Sequence, residues 1–520
     1  MRPIVFMPRC CCLFLALCLP GLLLGEAGAS PSGDEIRIAH MTSQPETLDP
    51  FKVYGTESQS FYRQIYDTLI SRDEKGRLTP ALALRWEHRP GNVWRLHLRP
   101  DAVFQNGRAV SARDVKFSLD RLTSSASVRS RRRDFAFMRR VGVVNEKTID
   151  IHSNGPAPTL PARLAQFSMV LPERELREKG EKAFFEAPFG AGPFRLVRLD
   201  REGAVLERHE SYYLGKPAAR RIRFLFIEDT RERLKKLFAG ELDIVPNIQP
   251  AFAPQIVAHP AVSVLKKPAL QFTYILFDTL TPGPLSDVRV RRALAHWTDV
   301  DALIRYVAHG NGRRIATFVM PEEFGFHPEL RPYAFRPDLA KWLLTESGHG
   351  GGFEISALAS DEMERLARAV IQQWGYLGIK VRLKVASRSE AIRLWTRSRE
   401  YQAYFFAPTN LLFDASYHLT SKLDPSHPVS RFSHPQVGKL IQDVERETDS
   451  DRRRELLYRM QEIALQELPA LALYQVVNIY GVSDRLKGFQ GYPDTILRLQ
   501  QVVSPRPPEA PAGLGGRRIP

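Results

Sequence analysis

The chain has 520 residues, a formal net charge of +16 and four cysteines, all at or before position 18. The first 29 residues read as a processing signal, so the mature chain carries no thiol; disulfides, thiolate metal sites and cysteine nucleophiles are excluded. Removing Arg2, Arg9 and Glu26 leaves a charge of +15, which fits either attraction to an anionic surface or polymer or a merely Arg-rich composition.

In chain order, Arg2 and Arg9 give a positive start and Cys11 to Leu24 an apolar core too short to span a bilayer stably. Ala27-Gly28-Ala29 then supplies a small-residue cleavage pattern, so the mature protein is expected to begin at Ser30. Lipid anchoring is disfavoured because Cys18 follows Leu17 and Cys10 to Cys12 precede the apolar core. No later run is apolar and long enough to cross a membrane, which predicts a soluble exported protein whose compartment is the periplasm. About 490 residues remain, enough for two or three domains.

WRLHLR at 94–99 alternates Trp94, Leu96 and Leu98 with Arg95, His97 and Arg99, the pattern of a half-buried strand. SARDVKFSLDRL at 111–122 opens with a Ser111 to Asp114 capping box and repeats Ala112, Val115, Leu119 and Leu122, predicting a helix. The basic run RSRRR at 129–133, with Arg139 and Arg140, lacks aromatics at stacking spacing and reads as a solvated loop, not a nucleic-acid site. FRLVRLDREGAVLER at 194–208 reads as a hairpin turning at Arg201-Glu202-Gly203. Asp287 can cap a helix carrying Val290, Ala293, Leu294 and Trp297, and Val300, Leu303, Ile304 and Val307 mark a second one. FEISAL (353–358), the helical series Met363, Leu366, Val370, Ile371, Trp374 and Leu377, and IKVRLKV (379–385) predict a right-handed β-α-β unit. From 506 to 520 the Pro and Gly density predicts a disordered tail.

Chemistry is sparse along this chain. Thirteen histidines are scattered without an HExxH pair, and His427 and His434 share a loop without helical metal-pair spacing, so no metal is expected. No GxSxG elbow or phosphate loop occurs. HGNGRR (309–314) and HGGGF (349–353) read as helix C-caps at Gly310 and Gly348 in preference to anion nests. Glu322 and Glu323, beside Pro321, read as a solvated surface loop in preference to an acid/base dyad. An enzyme therefore has no positive support and no cofactor is expected; exported, α/β, multi-lobed and thiol-free describes a binding protein at least as well.

Specific residues then carry a resemblance. IYDTLISRDEKGRLTPALALRWE (65–87) and WRLHLRPDAVFQNGRAVSARDVKFSLDRL (94–122), followed by APFGAGPF (187–194), GELDIV (240–245), DVRVRRALAHWTDVDALI (287–304) and RPDLAKWLLTESG (336–348), closely resemble the oligopeptide and dipeptide class of ABC-importer solute-binding proteins, family 5. The resemblance covers about residues 35 to 500. It implies an α/β, two-lobed periplasmic-binding-protein-like fold of type II, large peptide-binding class, with a hinge between lobes that close on a ligand. By analogy the first lobe spans 30–270 completed by 480–505, and the second spans 271–479. The implied partners are a peptide or other small solute and an inner-membrane permease with a cytoplasmic ATPase, with no nucleic acid, and the protein acting as a monomer.

Ligand contacts implied by the resemblance are Tyr54, Gly55 and Thr56 of the first lobe, for which a surface turn before a helix is the plain alternative. In the second lobe they fall within YFFAPTNLLFD (404–414), at Phe406, Pro408, Thr409, Asn410, Leu411 and Asp414. Peptide-binding relatives resemble Gly-Trp-x-x-Asp-x-x-Asp-Pro here, the first Asp pairing with the ligand's α-ammonium. Placed on that pattern, Ala407, Pro408, Leu411, Asp414 and Ala415 occupy the named positions, so the anchoring acid is missing and Asp414 is the structural acid. The segment 357–370 likewise lacks the Arg-Pro-Tyr-Asn-Pro-type run that accompanies carboxylate recognition, although Arg365 or Arg368 could substitute. These departures favour a longer peptide or a non-peptide solute of glycoconjugate or opine type over a dipeptide. A periplasmic enzyme and a nucleic-acid-linked regulator are the remaining alternatives; the first lacks a visible nucleophile and base, the second a helix-turn-helix. Thr409 and Asn410 are expected to supply hydrogen bonds beside an apolar or neutral ligand group at Leu411.

Overall fold

The computed structural model describes residues 34–40, 45–53, 55–124 and 134–504. The expected signal peptide, the RSRRR run, Tyr54 and the tail from 506 lie outside the described residues. In the first part of the chain come β1 (Glu35–His40), the hairpin of β2 (Ile70–Arg72) and β3 (Leu78–Pro80), and a four-stranded sheet of β4 (Ala83–Arg89), β5 (Val93–Leu98), β6 (Met138–Asn145) and β7 (Thr148–Ser153). There follow β8 (Phe194–Leu199), β9 (Gly203–Arg208), β10 (Arg221–Phe226), β11 (Ile244–Val245) and β12 (Val262–Phe277). The second part adds β13 (Gly312–Arg314), β14 (Glu354–Ser360), β15 (Lys380–Ala386), β16 (Ala403–Phe406) and β17 (Ala470–Ser483). One sheet runs through the whole molecule in the order β15-β14-β16-β12-β17-β11-β1-β10-β9-β8, with β13 attached to β17.

Two lobes, each with its own core, hang on this sheet. In the first, the alternation in WRLHLR buries Leu96 and Leu98 against the helix Ala112–Ser124, whose Val115, Leu119 and Leu122 are buried as their spacing predicts. Ser111 and Asp114 form the expected reciprocal cap, Ser111 N–H donating to Asp114 Oδ2 at 2.9 Å. The motif APFGAGPF has a steric reason: a Cβ on Gly190 would lie 2.4 Å from the Ile65 carbonyl oxygen, and one on Gly192 2.6 Å from that of Gln64. The helix Thr56–Ile65 can close on that turn only because both positions are glycine. The GELDIV motif places Asp243 at 0% exposure, where its carboxylate accepts from Arg37 and Arg485 and so ties β1 to the segment after β17.

The second lobe packs helices on both faces of β14, β15, β16 and the far half of β12. Helices Val288–Trp297 and Val300–Tyr306, capped by Asp287 and Asp299, cover one face with Glu364–Gly375. Arg388–Arg397, Ala415–Leu423, Val437–Arg446 and Ser450–Glu467 cover the other. The predicted strand-helix-strand unit is present, with β14 and β15 parallel neighbours from Glu354↔Lys380 to Ser360↔Ala386. Trp374 and Trp395, fully buried on opposite faces, donate their indole N–H groups to Thr298 Oγ1 and the Val429 carbonyl.

Among the described residues, only β12 and β17 run through both lobes. Val262 to Pro268 pair with Val477 to Ser483 beside β11, whereas Phe272 to Leu276 pair with Ala470 to Gln475 beside β16. The register slips between Pro268 and Phe272, where proline has no N–H to give to the ladder. Residues 480–502 then return to the first lobe, whose core takes Tyr480, Leu486, Leu497, Leu499 and Val502.

Three sequence expectations are corrected. Arg139 and Arg140 are exposed but lie on β6, where strand pairing with β7 fixes them, not in a loop. In HGNGRR the glycine cap holds, with Gly310 at φ 76°, but Gly312 to Arg314 then pair with β17 as β13. Glu323 is not on a solvated loop: it is 5% exposed, because the 320s loop is hydrogen-bonded under the 408–414 segment.

Candidate functional site

The segment 404–414 joins the lobes, and its residues explain how. Tyr404 to Phe406 finish β16; the chain then stays beside the crossing strand, with Thr409 bridged to Gln271 and Asn410 N–H donating to the Leu270 carbonyl at 2.8 Å. Leu412 leaves the second lobe and is 2% exposed within the core of the first. Arg72 of β2 holds it there: Nη2 donates to the Leu412 carbonyl at 2.7 Å, and the guanidinium lies 4.3 Å from the Phe413 ring centre. Phe413 adopts φ 56°, a left-handed conformation that strains a bulky side chain, and its ring fills the space a Cβ on Gly76 would take.

Asp414 closes the segment. It caps the helix Ala415–Leu423 through Ser416 N–H at 3.0 Å and receives a two-pronged ion pair from Arg453 at 2.7 and 2.9 Å. Burial pushes its carboxyl up, but the Arg453 charge and hydrogen bonds outweigh burial and hold it below the usual range. Asn410, at 0% exposure, donates to Glu323 Oε2 and the Asp414 carbonyl and accepts from Leu412 N–H. Asp414 and Asn410 therefore frame the loop with their polar atoms, contrary to the ligand-contact role assigned to them from sequence. Leu411, Thr409 and Phe406 are half-buried and Pro408 is buried. Gly55 is exposed and Thr56 half-buried at the start of the helix Thr56–Ile65, with their carbonyls accepting from Gln59 N–H and Ser60 Oγ inside that helix. Arg365 and Arg368 lie exposed on Glu364–Gly375, Arg365 donating to the Tyr306 carbonyl and Arg368 paired with Glu364.

Beneath the loop lies a buried polar cluster that the sequence did not announce. Parallel β14 and β16 end at Ser360 and Phe406, and Tyr274 pairs opposite Phe406, so these residues stand at the carboxyl end of the second-lobe strands, where α/β sheets bind ligands. Phe272, Tyr274, Phe406 and Tyr404 form a continuous aromatic surface with ring centres 5.2 to 6.2 Å apart. His418 meets Phe272 edge-on, and Lys422 Nζ lies 5.4 Å from the Tyr274 ring centre. Burial, opposed by the Glu323 charge, lowers the Lys422 ammonium to about 7; burial and then Lys422 push His418 well below its ordinary value. Burial likewise raises Glu323 well above the carboxylate range. A sequence signal existed: Ala415, His418, Leu419, Lys422 and Leu423 form one helical stripe, so two polar residues occupy core positions. Such an arrangement can bind and orient a solute. Among the described residues no group of three metal-ligating side chains occurs, and no helix is long and apolar enough to cross a membrane.

Comparison with known proteins places this geometry. The family described as bacterial extracellular solute-binding proteins, family 5 Middle, matches residues 77–428. Heme-binding protein A of Haemophilus influenzae is 25% identical over 84% of this chain and 86% of its own length. The dipeptide-binding protein of Escherichia coli is 23% identical over 86% of this chain and 89% of its own length. The structure of HbpA2 from Haemophilus parasuis superposes with a TM-score of 0.83 at 23% identity, over 90% of this chain and 99% of that one. With two lobes on one sheet, a strap between them and a family match over most of its length, the chain belongs to the bacterial extracellular solute-binding proteins of family 5.

Proposed function

We propose that the mature chain is a periplasmic, non-catalytic, monomeric binding protein that captures a peptide or other small solute between its lobes. It delivers that solute to an inner-membrane ABC permease powered by a cytoplasmic ATPase. The observation that carries this reading is the junction: two strands join the lobes with a register slip at Pro268/Phe272, and the 408–414 segment reaches from one core into the other. Lobe boundaries at 270/271 and 479/480 would let that slip act as the hinge. Leu411 stands where peptide-binding relatives place the ammonium-pairing acid, so a neutral or apolar ligand group sits beside it. This residue and the relative named for heme binding support a second reading, a non-peptide solute, and solved structures holding agropinic and mannopinic acid make the opine type its form; a glycoconjugate is the other.

Thermal-shift screening of the mature protein against di-, tri- and pentapeptides, sugars and opines tests the reading, since a ligand of the folded state raises the melting temperature by mass action. Peptide capture is abandoned if only another class produces a shift. Small-angle scattering with and without the hit must show compaction; an unchanged radius of gyration counts against closure. Leu411→Asp, at a half-buried position, should leave folding intact and create affinity for a free α-ammonium. No gain for any short peptide would mean that Leu411 does not face the ligand.

A further inference from the structure

The buried cluster under the 404–414 segment is rich in donors and poor in acceptors. Lys422, 5% exposed, pairs with no carboxylate among the described residues; Nζ donates to His418 Nδ1 at 3.0 Å and Ser421 Oγ at 2.9 Å, which leaves one N–H unspent. Because His418 Nδ1 accepts, its ring proton sits on Nε2, and that N–H finds no partner. The hydroxyls of Tyr274 and Tyr404, both fully buried and diagonal neighbours on one face of β12 and β16, also find none. Glu323 Oε1 and Ser360 Oγ are further buried polar atoms without a partner. Arg388, over the Phe406 ring at 4.6 Å and paired with Glu362, adds positive potential at the rim.

Each unpaired buried polar group carries a desolvation penalty that a hydrogen-bonding ligand would remove. A set of unmatched donors from three separate segments, around one ammonium, is complementary to an anionic oxygen acceptor. We propose that this cluster is the subsite for a carboxylate of the transported solute, with Lys422 as its charge partner and Tyr274, Tyr404 and His418 as its hydrogen-bond donors. The second lobe thus has the opposite polarity to peptide binders that present a carboxylate at the Leu411 position: it offers a cation to the solute's acid end. This rests on the binding-protein reading and deepens it by naming the ligand chemistry.

The test uses small probes, so it does not depend on knowing the solute. Mature protein and its Lys422→Met and Lys422→Gln variants are melted at pH 6.5 and fixed ionic strength with acetate, succinate, phosphate or neutral acetamide, each up to about 50 mM. Acetate and succinate should stabilise the wild type, acetamide should not, and both variants should bind the carboxylates at least tenfold more weakly. Tyr274→Phe and Tyr404→Phe should each weaken binding about tenfold to hundredfold, as expected for one hydrogen bond to a charged group. Above pH 7 wild-type affinity for succinate should fall by up to about tenfold per pH unit as the ammonium deprotonates. A merely structural lysine would not produce that profile. The proposal is overturned if carboxylates fail to stabilise the wild type, if acetamide matches acetate, if phosphate alone responds, or if Lys422→Met keeps the carboxylate preference. Solutes that close wild type and Lys422→Met equally would sink this subsite and leave the binding-protein reading standing. Carboxylates bound through Lys422 with no solute closing the lobes would do the reverse.

Discussion

Replacing Asp414 by Asn separates the two jobs of that carboxylate. Asparagine is as good a helix N-cap as aspartate, so the Ser416 N–H keeps its acceptor, but Arg453 loses its counter-ion. Arg453 is 4% exposed, and its other bonds are from Nε to the Val444 carbonyl at 3.1 Å and from Nη2 to Ser416 Oγ at 3.2 Å. Leaving one member of a buried pair uncompensated costs about 3–5 kcal/mol, so Asp414→Asn should lose that much and Asp414→Ala about 1 kcal/mol more for the cap. Replacing both partners by groups of similar shape is often close to neutral, so Asp414→Asn with Arg453→Met should recover most of the loss, a coupling of at least about 3 kcal/mol. Urea unfolding followed by the fluorescence of Trp374 and Trp395, both buried in the second lobe, reads the effect where it occurs. Because the folded carboxyl titrates below its unfolded value, its stabilisation is present above about pH 4 and is lost as pH falls through the folded value. Asp414→Asn should remove that acid sensitivity. A loss under about 1 kcal/mol, or additive single and double variants, would refute the assignment of this pair as a buried structural clamp.

Three further outcomes follow from the geometry. Lys422 titrates at about 7 when folded, so between pH 7 and 10 the unfolded chain holds the extra proton and stability should rise with pH, by up to about 1.4 kcal/mol per unit. Lys422→Met should flatten that slope in thermal melts across pH; an unchanged slope would show that another group is responsible. Gly192→Ala must displace the Gln64 and Ile65 carbonyls and should lose at least about 2 kcal/mol, whereas Gly55→Ala, with nothing within 4 Å of its Cβ, should stay within about 0.5 kcal/mol. Parallel melts of the two alanine variants decide this. Leu412→Ala should lose about 2–5 kcal/mol and enlarge the radius of gyration of the ligand-free protein in scattering; a smaller radius would contradict its role between the lobes.

What could be read beforehand follows from the range of the interactions. Strand alternation at 94–98, the Ser111–Asp114 box and the Asp287 cap are encoded within a few residues, and each is found where its spacing puts it. Family likeness gave the two-lobed fold. Glu323 was missed because its burial depends on Asn410, 87 positions later. Lys422 and His418 hid inside an apolar helical stripe, where a lysine is usually discounted as a residue reaching for solvent. Nothing in the sequence singles out Leu412; the fold reveals that it belongs to the opposite core. Of the expected contacts, Asn410 and Asp414 spend their polar atoms on the protein because a crossing loop has to satisfy its own backbone.

On the proposed closure of the lobes, Leu412 would also set a baseline for the shut state. Moving the lobes apart withdraws that side chain from the first-lobe core and breaks the Arg72 hydrogen bond, so burial of about 1.5–3 kcal/mol favours closure before any solute arrives. A solute then adds to a bias already present, and its apparent affinity includes a contribution that belongs to the protein alone. Weakening the strap would therefore lower affinity for every solute by the same factor and leave the order of preference among them untouched. Capture strength and chemical choice would in this way be set by different residues, Leu412 governing the first without entering the second.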